Sequence, residues 1–419
     1  MLTHLGEHSI LTDVKHGFRA ERSCETQFVT LVQDLADKIA GGGQVDIVLL
    51  DFSKAFDKVP HKRLLYKLHR YGIRGNHLKW IESFLTGRTQ KVLVEGEASS
   101  EAEVDSGVPQ GTVLGPILFL VFINDLPESV RNSLVRLFAD DAAVYRQIDS
   151  VNDARQLQED LDNLTAWEAK WQMEFHPSKC KVLHITRNTN RITFTYNLRG
   201  ENLSAVQEEK YLGVKLDDRL SWNPHIEATA GKGRQKLGFL RRNLKINSVA
   251  VKTRAYQTMV RPNLEYCCTA WSPHQKGQIE QLEAVQRKAA RFVFNKYGWR
   301  QSPTAMLKKL GWEPLENRRK KFRIALTYKI LNGHVAIPPD RYFTRIEKST
   351  RGCVHSKKLL ERGSKCEYQS ATFFFASPSL WNGLPQKIAE APSIMACKAN
   401  LAKYALPLHA LPPGGLGGR

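Results

Sequence analysis

Val135 to Tyr145, VRLFADDAAVY, sets two adjacent acids, Asp140 and Asp141, in a run that otherwise reads as two short apolar strands. An unpaired buried carboxylate is costly, so two neighbours at a hairpin tip need either solvent or a cation. A third acid, Asp51, closes the aliphatic run Val45-Asp-Ile-Val-Leu-Leu-Asp51, which reads as a buried strand with an acid at its exit. Two carboxylates on a tight β-turn-β and a third at a strand end form the oxygen set that a two-Mg²⁺ phosphoryl-transfer site requires, with substrate phosphates completing each octahedral shell. Such a centre would stabilise an attacking 3′-oxygen and a leaving pyrophosphate. The opposing reading is that turns favour Asp for backbone reasons alone. The spacing from Asp51 to Asp140 does not by itself bring them together.

Other candidate chemistry is thinner. Cys353, His355 and Cys366 lack the fourth ligand and the tight spacing of a structural zinc site. The seven cysteines are scattered, odd in number and without a CxxC pair, which suits reduced thiols in an intracellular compartment better than a disulfide framework. The longest apolar run, Ile117-Leu-Phe-Leu-Val-Phe-Ile123, falls far short of the roughly 20 residues that cross a bilayer, and MLTHLGEHSI lacks the pattern of a secretory signal. No membrane partner is expected.

Charge is more informative. The net +20 is uneven: residues 1–150 carry 17 Lys and Arg against 20 Asp and Glu (net −3), and residues 151–419 carry 45 against 22 (net +23). A basic surplus of this size attracts a polyanion, and nucleic acid is the commonest one. The alternative is a merely solvated basic surface.

The elements that must position the acids follow from periodicity. Residues 25–40 have helical spacing and stop at Gly41-Gly-Gly43; 61–71 and 76–86 read as two helices; TQKVLVEG and EAEVDSG read as strand material. GVPQGTVLGPILFLVFINDL opens with turn residues and continues as an apolar helix, and 151–172 fits a long amphipathic helix. Residues 181–185 form a further strand candidate, while 192–196 and 211–216 suggest a hairpin. Beyond Trp222 the pattern changes to basic helices at 226–245, 248–260 and 278–295, so a boundary is expected near 220. From 300 onward the signals are mixed but mostly helical, with the run Arg318-Arg-Lys-Lys-Phe-Arg323 and a loose tail at 412–419. This order points to an α+β or α/β domain followed by an all-α one.

Three blocks in this order, VDIVLLDFSKAFDKVPHKRLL, SGVPQGTVLGPILFLVFINDL and LFADDAAVY, resemble successive motifs of the reverse transcriptases encoded by non-LTR retrotransposons. The resemblance extends to HGFRAERSCETQ, HPSKCKVL, YLGVKLDDRLSW, MVRPNLEYCCTAWSP, LEAVQRKAARF and SLWNGLP, and so covers nearly the whole chain. The later blocks are most similar to CR1/Jockey-like, LINE-type elements.

What this resemblance implies can be carried over by position. Asp51, Asp140 and Asp141 match the family's metal-binding acids, Asp51 and Asp140 first among them, for two Mg²⁺ ions with Mn²⁺ as a substitute. The Phe52 carbonyl should face a metal. Phe56 matches the aromatic gate that would collide with a ribose 2′-hydroxyl. Gln110 and Gly111 match the block beneath the templating pair and incoming nucleotide. Lys179 matches the lysine that protonates or neutralises the leaving pyrophosphate, with Lys181 near enough to compete for the assignment. The hairpin at Tyr211, Leu212 and Gly213 resembles the primer grip. Read without the family, Phe56 is a core aromatic, Gln110 a cap for the following helix, Lys179 a solvated lysine, and the helices after Trp222 an ordinary solvated face.

The implied architecture is an α+β right-hand polymerase: 1–45 a remnant of the fingers, 46–220 the palm with a fingers segment inserted at 61–105, 221–300 a helical thumb, and 301–419 a basic, helical C-terminal region with a flexible tail. Partners would be an RNA template, a DNA primer and deoxynucleoside triphosphates, in the nucleus if the target is chromosomal DNA. Upstream fingers segments and an endonuclease do not fit into the fifteen residues before His16, so a truncated element copy is expected, with His176 standing where Asn is commoner. The expectations are therefore an RNA-directed DNA polymerase, a catalytically silent remnant that only binds nucleic acid, or an unrelated basic scaffold. The oligomeric state is not legible.

Overall fold

A computed structural model of the chain describes residues 1–298, 300–346 and 355–406. The fold is mixed α/β and divides into two compact units: Met1–Cys24 with Gly42–Leu212, and Glu25–Gly41 with Gly213–Arg419.

The first unit is built on a five-stranded sheet. Its strands are β1 (Gln44–Leu50), β2 (Leu134–Phe138), β3 (Asp141–Gln147), β4 (Lys181–Thr186) and β5 (Ser204–Ala205), in the spatial order β5-β4-β1-β3-β2. Every residue of β1 is buried, as a largely aliphatic strand flanked on both edges should be, and the one buried acid within it, Asp46, accepts from Tyr196 Oη at 2.7 Å and pairs with His184 at 2.9 Å. It pairs antiparallel with β3, Val45 opposite Gln147 through to Leu50 opposite Ala142, and with β4, Gln44 opposite Thr186 through to Leu49 opposite Lys181. One face of the sheet packs Val48, Leu50 and Val182 into a core with Phe119 and Phe122 from the helix Leu114–Phe122 and Leu157, Leu161 and Leu164 from the helix Val151–Trp171. Ser150 and Asp153 form a capping box at the start of the latter helix, satisfying backbone N–H groups that helix geometry leaves free.

Several expectations are corrected here. Residues 192–196 form no strand; the local ladder is Asn197–Leu198 with Glu201–Asn202, joined through Arg199 and Gly200, both at positive φ. TQKVLVEG and EAEVDSG do contain strands, but only two-residue ones: Thr89–Gln90 pairs with Ala102–Glu103, and Leu93–Val94 with Glu97–Ala98 between the two segments, all exposed. With no second layer to bury their apolar alternation, they do not extend into a sheet.

The second unit is helical. Its main elements include Asn223–Asn243, Lys276–Phe294, Leu315–Leu331, Phe373–Asn382 and Ile394–Lys403. The expected helix 248–260 is Val249–Ala255 followed by a π-turn over Tyr256–Val260, and Pro262 then restarts the chain as Arg261–Glu265. Nearly all of the helix Cys24–Ile39 belongs to this unit: Glu25 accepts from Thr269 at 2.8 Å, and Thr372 donates to Gln33 at 2.9 Å.

The basic run 318–323 is no solvated face. Arg319, Lys320 and Arg323 are buried inside the Leu315–Leu331 helix packing, and Arg318 pairs with Glu265. Long alkyl stems let such residues fill a helical core. Cys353 and the tail at 412–419 lie outside the described residues. No helix among the described residues is long and apolar enough to cross a membrane.

Candidate active site

Asp51 sits at the exit of β1, where a neighbouring segment holds the backbone on one edge. The Asp51 carbonyl accepts from the His176 amide at 2.8 Å, the Ser53 amide donates to the Glu174 carbonyl at 2.8 Å, and the Asp51 amide donates to Cys180 Sγ at 3.5 Å. These bonds flank Phe52, which bridges Phe175 across the pair. Phe52 is thus in a non-hydrogen-bonded position, so its own carbonyl points to the opposite edge, the side on which β3 runs. Its ring stacks on Phe175 with centroids 4.4 Å apart. Burial pushes the Cys180 thiol up to about 11, so Cys180 serves as a neutral anchor for the Asp51 amide.

Asp140 and Asp141 arise from the turn between β2 and β3. Phe138 pairs with Asp141, which leaves a two-residue loop of Ala139 and Asp140, with Ala139 at φ +52°. An alanine in the left-handed region carries strain that the surroundings must offset. The support comes from residues 14–17, which add to the outer edge of β2. The His16 amide donates to Leu137 O at 2.9 Å and the Leu137 amide to Val14 O at 3.1 Å. Gly17 then lies directly on the turn: a Cβ there would be 2.3 Å from the Ala139 nitrogen. The glycine of the HGF triplet is the signal that marks this close approach, and Gly17 was not among the residues expected to shape the site.

The β1–β3 register ends with Leu50 opposite Ala142, so Asp51 and Asp141, the next residues on the two strands, lie at the same end of the sheet as Asp140. Their proximity shows in Asp141, whose pKa is pushed up to about 6 by partial desolvation of its carboxyl, then by the charges of Asp140 and Asp51, against the pull of Lys210. Lys210, the residue before the YLG triplet, is a second participant that motif reading missed. Among the described residues no three His, Cys, Asp or Glu side chains converge tightly enough to form a metal cluster. The donor set is nonetheless all carboxylate oxygen, exposed at Asp140 and Asp141, which suits a hard divalent cation that retains water and takes substrate oxygens.

Phe56 is half-buried, stacked on Phe119 with centroids 4.5 Å apart and touched edge-on by the exposed Phe18. Gln110 does not cap the next helix. Its amide donates to Asp57 Oδ1 at 2.9 Å, and Thr112 instead receives the Gly115 amide at 3.0 Å. Gly111 takes φ +78° in open space. Asp57, six residues after Asp51, also gathers Ser106 and Gly107: its carbonyl accepts from Ser106 Oγ at 2.8 Å, and a Cβ on Gly107 would lie 2.6 Å from it.

Lys179 is exposed on the turn between Asp51's backbone partner His176 and β4, and its ammonium makes no hydrogen bond or ion pair among the described residues. Lys181 is held, donating to the Ser178 carbonyl at 2.8 Å. Tyr211 and Leu212 are buried, and the chain turns through Leu212 and Gly213 at φ +47° and +85°. The ring of Tyr266 leaves no room for a side chain at Gly213.

Residues 1–216 match the family model described as reverse transcriptase (RNA-dependent DNA polymerase). The chain belongs to the reverse transcriptase family. Within it, the chain is similar to the probable RNA-directed DNA polymerase from transposon BS of Drosophila melanogaster, 31% identical over 68% of this chain and 33% of that protein. It is likewise similar to the RNA-directed DNA polymerase from mobile element jockey of Drosophila funebris, 30% identical over 66% and 31%. The probable polymerase from transposon X-element of Drosophila melanogaster is 27% identical over 68% and 32%. The chain spans about a third of the length of these relatives. These relatives agree with the CR1/Jockey-like character of the sequence blocks.

Proposed function

We propose that the chain is the polymerase portion of a non-LTR retrotransposon reverse transcriptase, adding deoxynucleotides to a DNA 3′ end on an RNA template. The observation that carries this reading is the β1–β3 register, which ends at Leu50 opposite Ala142 and so brings Asp51 to the same end of the sheet as Asp141 and the Asp140 turn, within the residues that match the family model.

In this reading Asp51, Asp140 and Asp141 would hold two Mg²⁺ ions, or Mn²⁺ in their place, helped by the Phe52 carbonyl. When bound, such ions supply charge stabilisation to the attacking 3′-oxygen and the departing pyrophosphate. The protein's own contribution is position. Pinning of the Asp51 backbone by His176 and Cys180 holds one carboxylate, and Gly17 holds the turn that presents the other two. Lys179, unpaired on its turn, would neutralise or protonate the pyrophosphate. Phe56, braced on Phe119, would block a ribose 2′-hydroxyl. Gln110, fixed by Asp57, would lie with Gly111 under the templating pair, and Tyr211, Leu212 and Gly213 would hold the primer end.

In this reading residues 46–220 would be a palm, with 61–105 as an inserted fingers segment and 1–45 as a remnant of the fingers, 221–300 a helical thumb, and 301–419 a basic C-terminal region. A nuclear site of action would follow from a chromosomal target. The test is Mg²⁺-dependent extension of a DNA primer on an RNA template by the purified chain, with Asp140→Ala as control. Extension that the variant loses supports the assignment. Extension that the variant keeps removes the acids from the chemistry, and intact primer-template binding without extension leaves a protein that only binds nucleic acid.

A further inference from the structure

The helical unit contains a basic cavity that the palm chemistry does not use. It has a volume of about 520 Å³, and Arg241, Lys245, Lys252, Asn247, Phe292 and Tyr297 line it. These residues come from three places: the end of the helix Asn223–Asn243 and the loop after it, the helix Val249–Ala255, and the end of the helix Lys276–Phe294 with the residues following it.

Its charge is of one sign. Between Glu227 and Glu265 the chain carries nine Lys and Arg and no acid, and between Glu283 and Glu313 it again carries no acid. No Asp or Glu lines the cavity. Lys252 is the decisive residue. It is 5% exposed, yet its ammonium has no hydrogen bond or ion pair among the described residues, and lies 5.0 Å from the Phe292 ring centroid. An ammonium carried by a largely buried stem, open to a cavity and without an anionic partner, is placed to receive an anion. Next to it stands an aromatic surface: Tyr297 is 46% exposed, with the Arg241 guanidinium 5.5 Å from its ring centroid.

Cations beside an exposed ring match one nucleotide, the phosphate against the ammonium groups and the base against the ring. A duplex presents phosphates but keeps its bases stacked inside, so the exposed ring would gain nothing from it. We infer that this cavity takes a single nucleotide of an unpaired strand, with Lys252, Lys245 and Arg241 on the phosphate and Tyr297 stacked on the base. The inference rests on the proposed function only in taking nucleic acid as the ligand.

The test measures binding of the full chain to 12-nucleotide oligo-uridine, oligo-thymidine and a blunt duplex of equal length, by fluorescence anisotropy in Mg²⁺-free buffer across a salt series. Tyr297→Ala should weaken single-strand binding about tenfold with little change in salt slope. Lys252→Met and Lys245→Ala should each weaken it and lower the salt slope by about 0.7. Duplex affinity should hold in all three, and the tighter of the two single strands identifies the strand taken. Lys245 is exposed, so its variant reports even if Lys252→Met fails to melt like the wild type. Wild-type single-strand affinity in Tyr297→Ala and Lys245→Ala overturns the inference. So does an equal loss for duplex and single strand, which would make the cavity part of a duplex-backbone track. Asp140→Ala should bind like the wild type throughout, so a failure of catalysis and a failure of this site are distinguishable.

Discussion

Gly17 rests against Ala139 so closely that even a methyl group has no place between them, with 2.3 Å from an added Cβ to the alanine nitrogen. The contact couples the 14–17 segment to the strained turn that presents Asp140 and Asp141. Gly17→Ala should therefore push the turn out of line. Overpacking of this kind costs about 1–3 kcal/mol, and catalysis should suffer more than stability, with primer extension down on the order of 100-fold. Extension at the wild-type rate with a normal melt would separate Gly17 from the site.

Asp141 gives a pH dependence with a definite sign. Its folded-state value of about 6 lies above the ordinary carboxylate range, so the fold prefers the protonated form. The stability contribution is intact below about pH 4 and declines as pH rises through 6, where the unfolded chain is ionised at less cost. Asp141→Asn should therefore melt above the wild type at pH 7.5 and together with it at pH 4. Because the residue is exposed, solvent screening holds the gain to on the order of 1 kcal/mol, or a few degrees. Added Mg²⁺ at pH 7.5 should close part of the gap, and a gap of equal size at pH 4 would contradict this account.

Phe56 stacks on Phe119, so removal of its ring has two consequences that can be read apart. Phe56→Ala should lose about 2 kcal/mol, less than a fully buried ring would, and should incorporate ribonucleotides more readily. Phe56→Leu should recover most of the stability and only part of the discrimination. If both variants reject ribonucleotides as strictly as the wild type, the ring has only a packing role.

Arg319 is wholly buried, and none of its three guanidinium nitrogens has a hydrogen-bond partner. Burial lowers its pKa, with the charge of Glu283 the largest opposing influence. A buried, unpaired cation is weak support for a fold, and an apolar side chain of similar length can replace it. Arg319→Met should melt within about 1 kcal/mol of the wild type or above it. A loss of 3 kcal/mol or more in denaturant titration would mean that the charge is needed where it lies.

Much of the site was legible because its signals are local. A mostly aliphatic run ending in Asp51 reads as a buried strand, and a tight turn in VRLFADDAAVY places two acids at its tip. The helices Cys24–Ile39 and Val151–Trp171 fall within a residue of their periodicity. Where sequence reading failed, the deciding contact was remote or missing. Residues 192–196 alternate like a strand yet form none, and Arg319, Lys320 and Arg323 look like a solvated face yet are buried, because neither segment chooses its own neighbours. Gln110 looked like a cap until Asp57, 53 residues earlier, claimed its amide.

The sequence by itself determined the kind of chemistry: the three acids, their strand and turn settings, and the motif order that places the chain in its family. Only the tertiary structure decided that Asp51 lies at the same end of the sheet as Asp141, that Gly17 supports the Ala139 turn, and that Lys181 is tied down while Lys179 is not. The reason is physical. Propensity and hydrophobic period act over a few residues, whereas register, close approach and electrostatic coupling depend on which distant segments share the same few ångströms.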